Sequence, residues 1–170
     1  MINENDFVLS ETKKDDICRY LTSRQKQRAL TWMRLQETLN RGDFDAMDGF
    51  FEADFTYGNP SRPDLGSYAS WKTSPVALYK TFPPCLYRTK AVTGHGDDEI
   101  WVYCQHAGKQ TGGNYMGVPP RGQEINVEWF SIVAFKGEKI LRIFSIADVL
   151  GMFIDVGVLD PKLMPTDPYK

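Results

Sequence analysis

The run Ile125-Asn126-Val127-Glu128-Trp129-Phe130-Ser131-Ile132-Val133-Ala134-Phe135 decides the architecture. Side chains of a strand alternate between its two faces. Ile125, Val127, Trp129, Ser131, Val133 and Phe135 therefore share one face, apolar but for Ser131. The other face begins polar at Asn126 and Glu128 and turns apolar at Phe130, Ile132 and Ala134. One face is fit to cover a core, and the apolar end of the other is fit to meet a second sheet. Lys136-Gly137-Glu138-Lys139 turns the chain into a last strand over 140–147. If that strand stays regular, Ile140, Phe144, Ile146 and Asp148 share one parity.

Working outward, the pattern is strand-like from residue 86 on, with Ile100-Trp101-Val102-Tyr103-Cys104 a short β-rich run. Gly112-Gly113, Gly117 and Pro119-Pro120-Arg121-Gly122 are turn chemistry. Upstream the period changes. Leu30, Met33, Leu35 and Leu39 mark a helix over about 25–41, closed by Asn40-Arg41-Gly42. Asp43 then caps a short helix that turns Phe44, Met47, Phe50 and Phe51 inward, and 54–57 leaves it as a strand. Asn59-Pro60-Ser61-Arg62-Pro63 reads as a loop. Ser74-Pro75 reads as a helix start with proline in the first turn, stopped by Pro83-Pro84. A last helix spans about 149–159. Helices followed by strands predict an α+β container, a curved antiparallel sheet wrapped on helices.

The chain has 170 residues, with 42% hydrophobic and 25% charged, enough for one domain with its own core. Residues 1–24 read as a polar extension, 25–162 as the domain and 163–170 as a tail. A net charge of −2 argues against a nucleic-acid partner, and no apolar run has the length of a membrane helix. The first residues lack the pattern of a signal peptide, so the expected location is cytoplasmic. Cys18, Cys85 and Cys104 are dispersed, as reduced core thiols are, and the only histidines are His95 and His106. Aromatic residues are abundant, with Trp 4, Tyr 8 and Phe 10. That stock suits a heavy core or an apolar pocket for a flat ligand.

Four segments carry a resemblance: 42–47 running on to 54–60; 108–112 with 116–122; 135–140; and 144–151 closing at 156–159. In order and spacing the chain resembles the SnoaL-like polyketide cyclases of the nuclear-transport-factor-2-like superfamily. The resemblance implies an α+β cone with a deep apolar pocket, usually a homodimer. It also implies intramolecular aldol ring closure on a hydrophobic polyketide-type compound, with no metal or cofactor and an Asp at the end of the last strand as acid/base. Asp148 matches that Asp. Gly58 and Gln110 stand where the family often has His, Ser131 where many members have Asp, and Phe144 where Trp is common. Isomerases, hydrolases and non-catalytic binding proteins share the superfamily, so these readings stay open.

On the regular parity, Asp148 follows Phe144 and Ile146 into apolar surroundings, where desolvation would suit it to take and return a proton. It also stands where a helix N-cap belongs, before Val149-Leu150-Gly151. Tyr57 and Asn59 fit hydrogen bonding to a substrate oxygen, or ordinary turn structure. His106 fits a proton carrier or a buried strand-end histidine. Trp71, Tyr79, Phe82, Tyr103 and Trp129 are candidate pocket walls, with Phe144 and Ile146 beside them and Gln110 among the substrate contacts. Ser131 needs a hydrogen-bond partner if buried, and fits an orienting group.

Overall fold

The computed structural model describes residues 2–163. Four α-helices, α1 (Glu11–Ile17), α2 (Ser23–Asn40), α3 (Tyr68–Thr81) and α4 (Val149–Val156), accompany five strands. The strands are β1 (Phe51–Gly58), β2 (Leu86–His95), β3 (Glu99–Lys109), β4 (Glu124–Lys136) and β5 (Lys139–Ala147). They form one sheet in the order β1-β5-β4-β3-β2. All neighbours are antiparallel except β1, which runs parallel to β5. This is the expected α+β cone, with α2, α3 and α4 packed on the sheet.

Two single-residue bulges interrupt the antiparallel ladders. In β2, Thr89 pairs with Cys104 and Ala91 with Tyr103, so Lys90 is an extra residue. In β5, Phe135 of β4 pairs with Ile140 and Ala134 with Arg142, so Leu141 is an extra residue. A bulge bends its strand and exchanges the faces beyond it. The inner face of β5 is therefore Ile140, then Ile143 and Ser145, all buried, while Phe144 and Ile146 lie outside at 37% and 57% exposure. The regular parity expected for 140–148 is corrected by this one residue. On β4 the inner face is the expected one, with Ile125, Val127, Ser131, Val133 and Phe135 buried.

Helix α2 opens with a capping box between Thr22 and Gln25. The Gln25 side chain also donates to the Gly96 carbonyl at 2.7 Å. At the other end, the Asn40 amide brackets the Tyr87 backbone, donating to its carbonyl at 2.9 Å and accepting from its N–H at 2.6 Å. The helix is thus pinned along β2, and Ala29, Trp32, Met33, Leu35 and Leu39 fill the cone. The N-terminal segment lies against the domain: Phe7 packs with Leu86 and Ala107, and Cys18 is buried in the main core.

Three element boundaries differ from expectation. Helix α3 starts at Tyr68, capped by Ser67 in a capping box with Ser70, and Pro75 lies inside it. The capping box starts the helix two turns before the proline, whose missing N–H costs it one bond. The segment after Gly42 is a 3₁₀ turn, Ala46–Phe50, and Phe51 already belongs to β1. Asp43 does accept from the Ala46 N–H, at 3.1 Å. Helix α4 ends at Val156 because Gly157, at φ +84°, forms a left-handed cap. Of the tail expected at 163–170, residues 164–170 lie outside the described residues.

Candidate functional site

The helices and the inner sheet face enclose a cavity of about 670 Å³. Helix α2 contributes Trp32, Leu35, Gln36 and Leu39, and helix α3 contributes Trp71, Pro75 and Leu78. The sheet supplies Tyr57, Tyr87, His106, Val127, Trp129, Ile143 and Ser145, and Met152 and Phe153 of α4 close one side. Exposed Ser61, Arg62 and Met116 mark where the cavity meets solvent. Its volume and its apolar wall, with aromatic rings from both sheet and helices, suit an organic molecule.

His106 brings an imidazole to this wall. Its register partners are Tyr87 on β2 and Val127 on β4. Its ring lies 5.5 Å from Tyr87 and 5.2 Å from Trp129, centroid to centroid. Burial lowers its pKa to about 4, so the imidazole is neutral at pH 7. Its Nε2 is buried without a hydrogen-bond partner among the described residues, as are Trp32 Nε1 and the Tyr87 hydroxyl. The indole and the phenol rest against the thiols of Cys104 and Cys85, which burial pushes up to about 12. Thiols are weak partners, and the imidazole has only aromatic faces.

Two hydroxyls on the cavity wall are each held by a neighbouring side chain. Tyr57 Oη accepts from Asn59 Nδ2 at 3.1 Å, and Asn59 Oδ1 accepts from the Ser61 N–H at 2.8 Å. Ser145 Oγ lies 2.7 Å from Ser131 Oγ across the β4–β5 pair. Gln36 is held in a buried ring, accepting from Thr89 at 2.7 Å and donating to Cys104 Sγ at 3.4 Å.

Of the residues singled out in the sequence, Tyr57, Asn59, Trp71, His106 and Trp129 line the cavity. The others lie elsewhere. Asp148 is exposed and caps α4, its Oδ1 accepting from the Gly151 N–H at 2.8 Å. Phe144 and Ile146 are on the outer face, for the reason given by the Leu141 bulge. Tyr103 also faces outward, donating to Glu128, with the Lys90 ammonium 4.7 Å from its ring centre. Tyr79 packs edge-on against Phe44 at 5.5 Å. Gln110 is wholly buried and donates to the carbonyls of Gly113 and Val118, at 3.1 and 3.0 Å, stapling the 111–122 loop. Ser131 sits behind Ser145 and does not reach the cavity. Phe82 is buried below the floor beside Ile125 and Val127.

Trp32, Gln36, Tyr87 and Ser145 escaped the sequence reading. The first two were legible only as a helix face and Tyr87 only as the first turn of an undelimited strand. Ser145 was hidden by the parity reversal. Among the described residues no group of three or more His, Cys, Asp or Glu is placed to hold a metal ion. No helix among them is long and apolar enough to cross a membrane.

A cone of this topology with an aromatic-walled cavity is the architecture of the nuclear-transport-factor-2-like proteins. The family model for SnoaL-like polyketide cyclases matches residues 29–156, and the chain belongs to that family. No curated protein sequence matches the chain. Among solved structures, AclR of Streptomyces galilaeus, described as a candidate hydroxylase, superposes with a TM-score of 0.71 at 17% identity, covering 79% of this chain and 98% of AclR. A candidate SnoaL-like polyketide cyclase of Jannaschia sp. CCS1 gives 0.69 at 19% identity, covering 81% and 96%. IdmH of Streptomyces antibioticus, a candidate polyketide cyclase, gives 0.66 at 20% identity, covering 77% and 99%. At these identities the likeness concerns the fold.

Proposed function

We propose that the cavity takes a hydrophobic carbonyl compound and moves protons on it without a cofactor, as in an aldol ring closure, with His106 as the proton carrier. The observation that carries this reading is a buried, neutral imidazole on the cavity wall whose Nε2 has no partner among the described residues. A neutral imidazole can take a proton from a carbon flanked by carbonyl or aryl groups, leaving an enolate and an imidazolium. The enolate attacks a second carbonyl of the same molecule, and the imidazolium returns its proton to the new alkoxide, so atoms and charge balance. The nearby enolate favours the charged imidazolium during the step, offsetting the burial that otherwise disfavours it. Trp71 and Trp129 would flank the flat substrate, and Tyr57, steadied by Asn59, would donate to a developing oxyanion.

The test is exchange of the C1 hydrogens of 2-tetralone for deuterium, followed by proton NMR. Wild-type protein should accelerate exchange, and His106→Gln should lose about 100-fold of that acceleration. Asp148→Asn, which keeps a capping oxygen, should leave it intact. Loss in Asp148→Asn with retention in His106→Gln would return the proton-transfer role to Asp148. Binding of 2-tetralone without accelerated exchange would make the protein a binder instead.

The same reading includes a homodimer through the outer sheet face. Trp101, Ile132 and Phe144 are successive partners across β3, β4 and β5, with Phe130 and Ile146 beside them. Trp101, Phe130, Phe144 and Ile146 are 36–57% exposed, an apolar strip that a second copy would cover in self-complementary fashion.

A further inference from the structure

The two serines that face each other across β4 and β5 hold two hydroxyl protons and only one mutual hydrogen bond. Ser131 is 0% exposed and Ser145 is 6% exposed and on the cavity wall. Their oxygens are 2.7 Å apart, and among the described residues neither has another partner. Two arrangements of the protons are possible. If Ser145 donated to Ser131, the Ser131 proton would be left in packed core with no acceptor, at the cost of an unsatisfied buried donor. If Ser131 donates to Ser145, the buried hydroxyl proton of the pair has its acceptor, and the surplus proton is on the oxygen that borders the cavity. The second arrangement is favoured because it leaves the unmet donor where a ligand can meet it.

We infer that Ser145 is a hydrogen-bond donor to a ligand carbonyl oxygen, held in its donor orientation by Ser131 behind it. The lone pair it uses towards Ser131 also polarises its own O–H, as in a short hydrogen-bond chain. The cavity is then chemically divided. Strands β1 and β5, neighbours with Tyr57 opposite Ile143, present the hydroxyl donors Tyr57 and Ser145. Strand β3 presents the imidazole of His106. Counting rows of the sheet, His106 is opposite Val127, while Ser145 is opposite Ser131, four residues further along β4. At about 3.4 Å per residue the two polar positions are more than about 13 Å apart in backbone terms. The ligand class is an elongated aromatic or polycyclic compound with a ketone oxygen at the β5 side that meets Ser145.

The inference rests on the reading of the cavity as a site for carbonyl compounds, and its test is independent of turnover. The probes are 9-fluorenone and fluorene, equal in shape apart from the carbonyl, with binding followed by tryptophan fluorescence. Fluorenone has no hydrogen on the carbons beside its carbonyl, so no proton exchange enters the measurement. The fluorenone-to-fluorene affinity ratio should fall about fivefold in Ser145→Ala and about twofold in Ser131→Ala. The infrared carbonyl stretch of bound fluorenone should rise in frequency in Ser145→Ala. Ser145→Ala orphans Ser131, so Ser131→Ala/Ser145→Ala, which removes both hydroxyls, repeats the test if the single variant fails to fold. A purely structural serine pair would change stability and leave the ratio unmoved, which would overturn the inference. Failure of fluorenone to bind wild-type protein would overturn it as well. A lowered ratio together with unaccelerated 2-tetralone exchange would retain the donor site and overturn only the catalytic reading.

Discussion

Asp148 and His106 lie in opposite surroundings, one exposed at the start of a helix and the other buried on the cavity wall. An aspartate at the end of a strand looks like a buried acid/base, yet its carboxylate is spent on the first turn of α4, with Oδ1 accepting from Gly151. Asp148→Ala should therefore lower stability by about 1 kcal/mol in urea unfolding and leave fluorenone affinity unchanged. His106 was legible as an apolar-parity histidine, but its isolation among rings was not. Its folded pKa, about 4, lies below the ordinary value near 6.5, so between those limits the unfolded chain binds the extra proton. Stability thus rises with pH through that window, is complete above about 6.5, and is lost on acidification by up to about 3 kcal/mol. His106→Phe should flatten that part of the stability–pH curve. A slope unchanged in the variant would assign the acid sensitivity to other groups.

At the scale of elements, β5 shows how one residue redirects a wall. Leu141 adds a bulge, and every side chain after it changes face, sending Phe144 and Ile146 outward and Ser145 inward. No local signal marks the bulge, because both parities of 140–147 are largely apolar. It arises from pairing with β4 and β1 in a curved sheet. The start of α3 was legible in principle, through the Ser67 and Ser70 capping box, but Ser74-Pro75 carried the more familiar helix-start pattern. The loop after β3 is held by Gln110 and by close backbone approach at Gly112, whose N–H donates to the Thr81 carbonyl at 3.1 Å. A Cβ on Gly112 would sit 1.8 Å from the Lys80 carbonyl oxygen. Gly112→Ala should cost about 2 kcal/mol or more, read as a lower unfolding midpoint, since backbone cannot yield as a side chain can.

The molecule as a whole is a cone whose inside and outside are both partly apolar. The inside is closed by helices and leaves the cavity. The outside strip of Trp101, Phe130, Phe144 and Ile146 is left bare. On the proposed dimer, Ile146→Lys should shift sedimentation from dimer to monomer while circular dichroism stays unchanged, because the side chain is 57% exposed in the single chain. A monomeric wild type would remove the dimer from the proposal. The N-terminal segment, read as a polar extension, is tied in by Phe7 and Cys18, and by Arg88 donating to the Asp6 carbonyl at 2.9 Å.

The sequence by itself determined the α+β class, the family, the inner face of β4, and five of the cavity's residues, Tyr57, Asn59, Trp71, His106 and Trp129. Those follow from local period and from residue types whose placement survives small shifts in register. Only the tertiary structure decided which face β5 turns inward, which of the two readings of Asp148 its carboxylate follows, and that Ser131 pairs with Ser145. Those depend on pairing between strands distant in the chain, where a single inserted residue reverses every side chain beyond it.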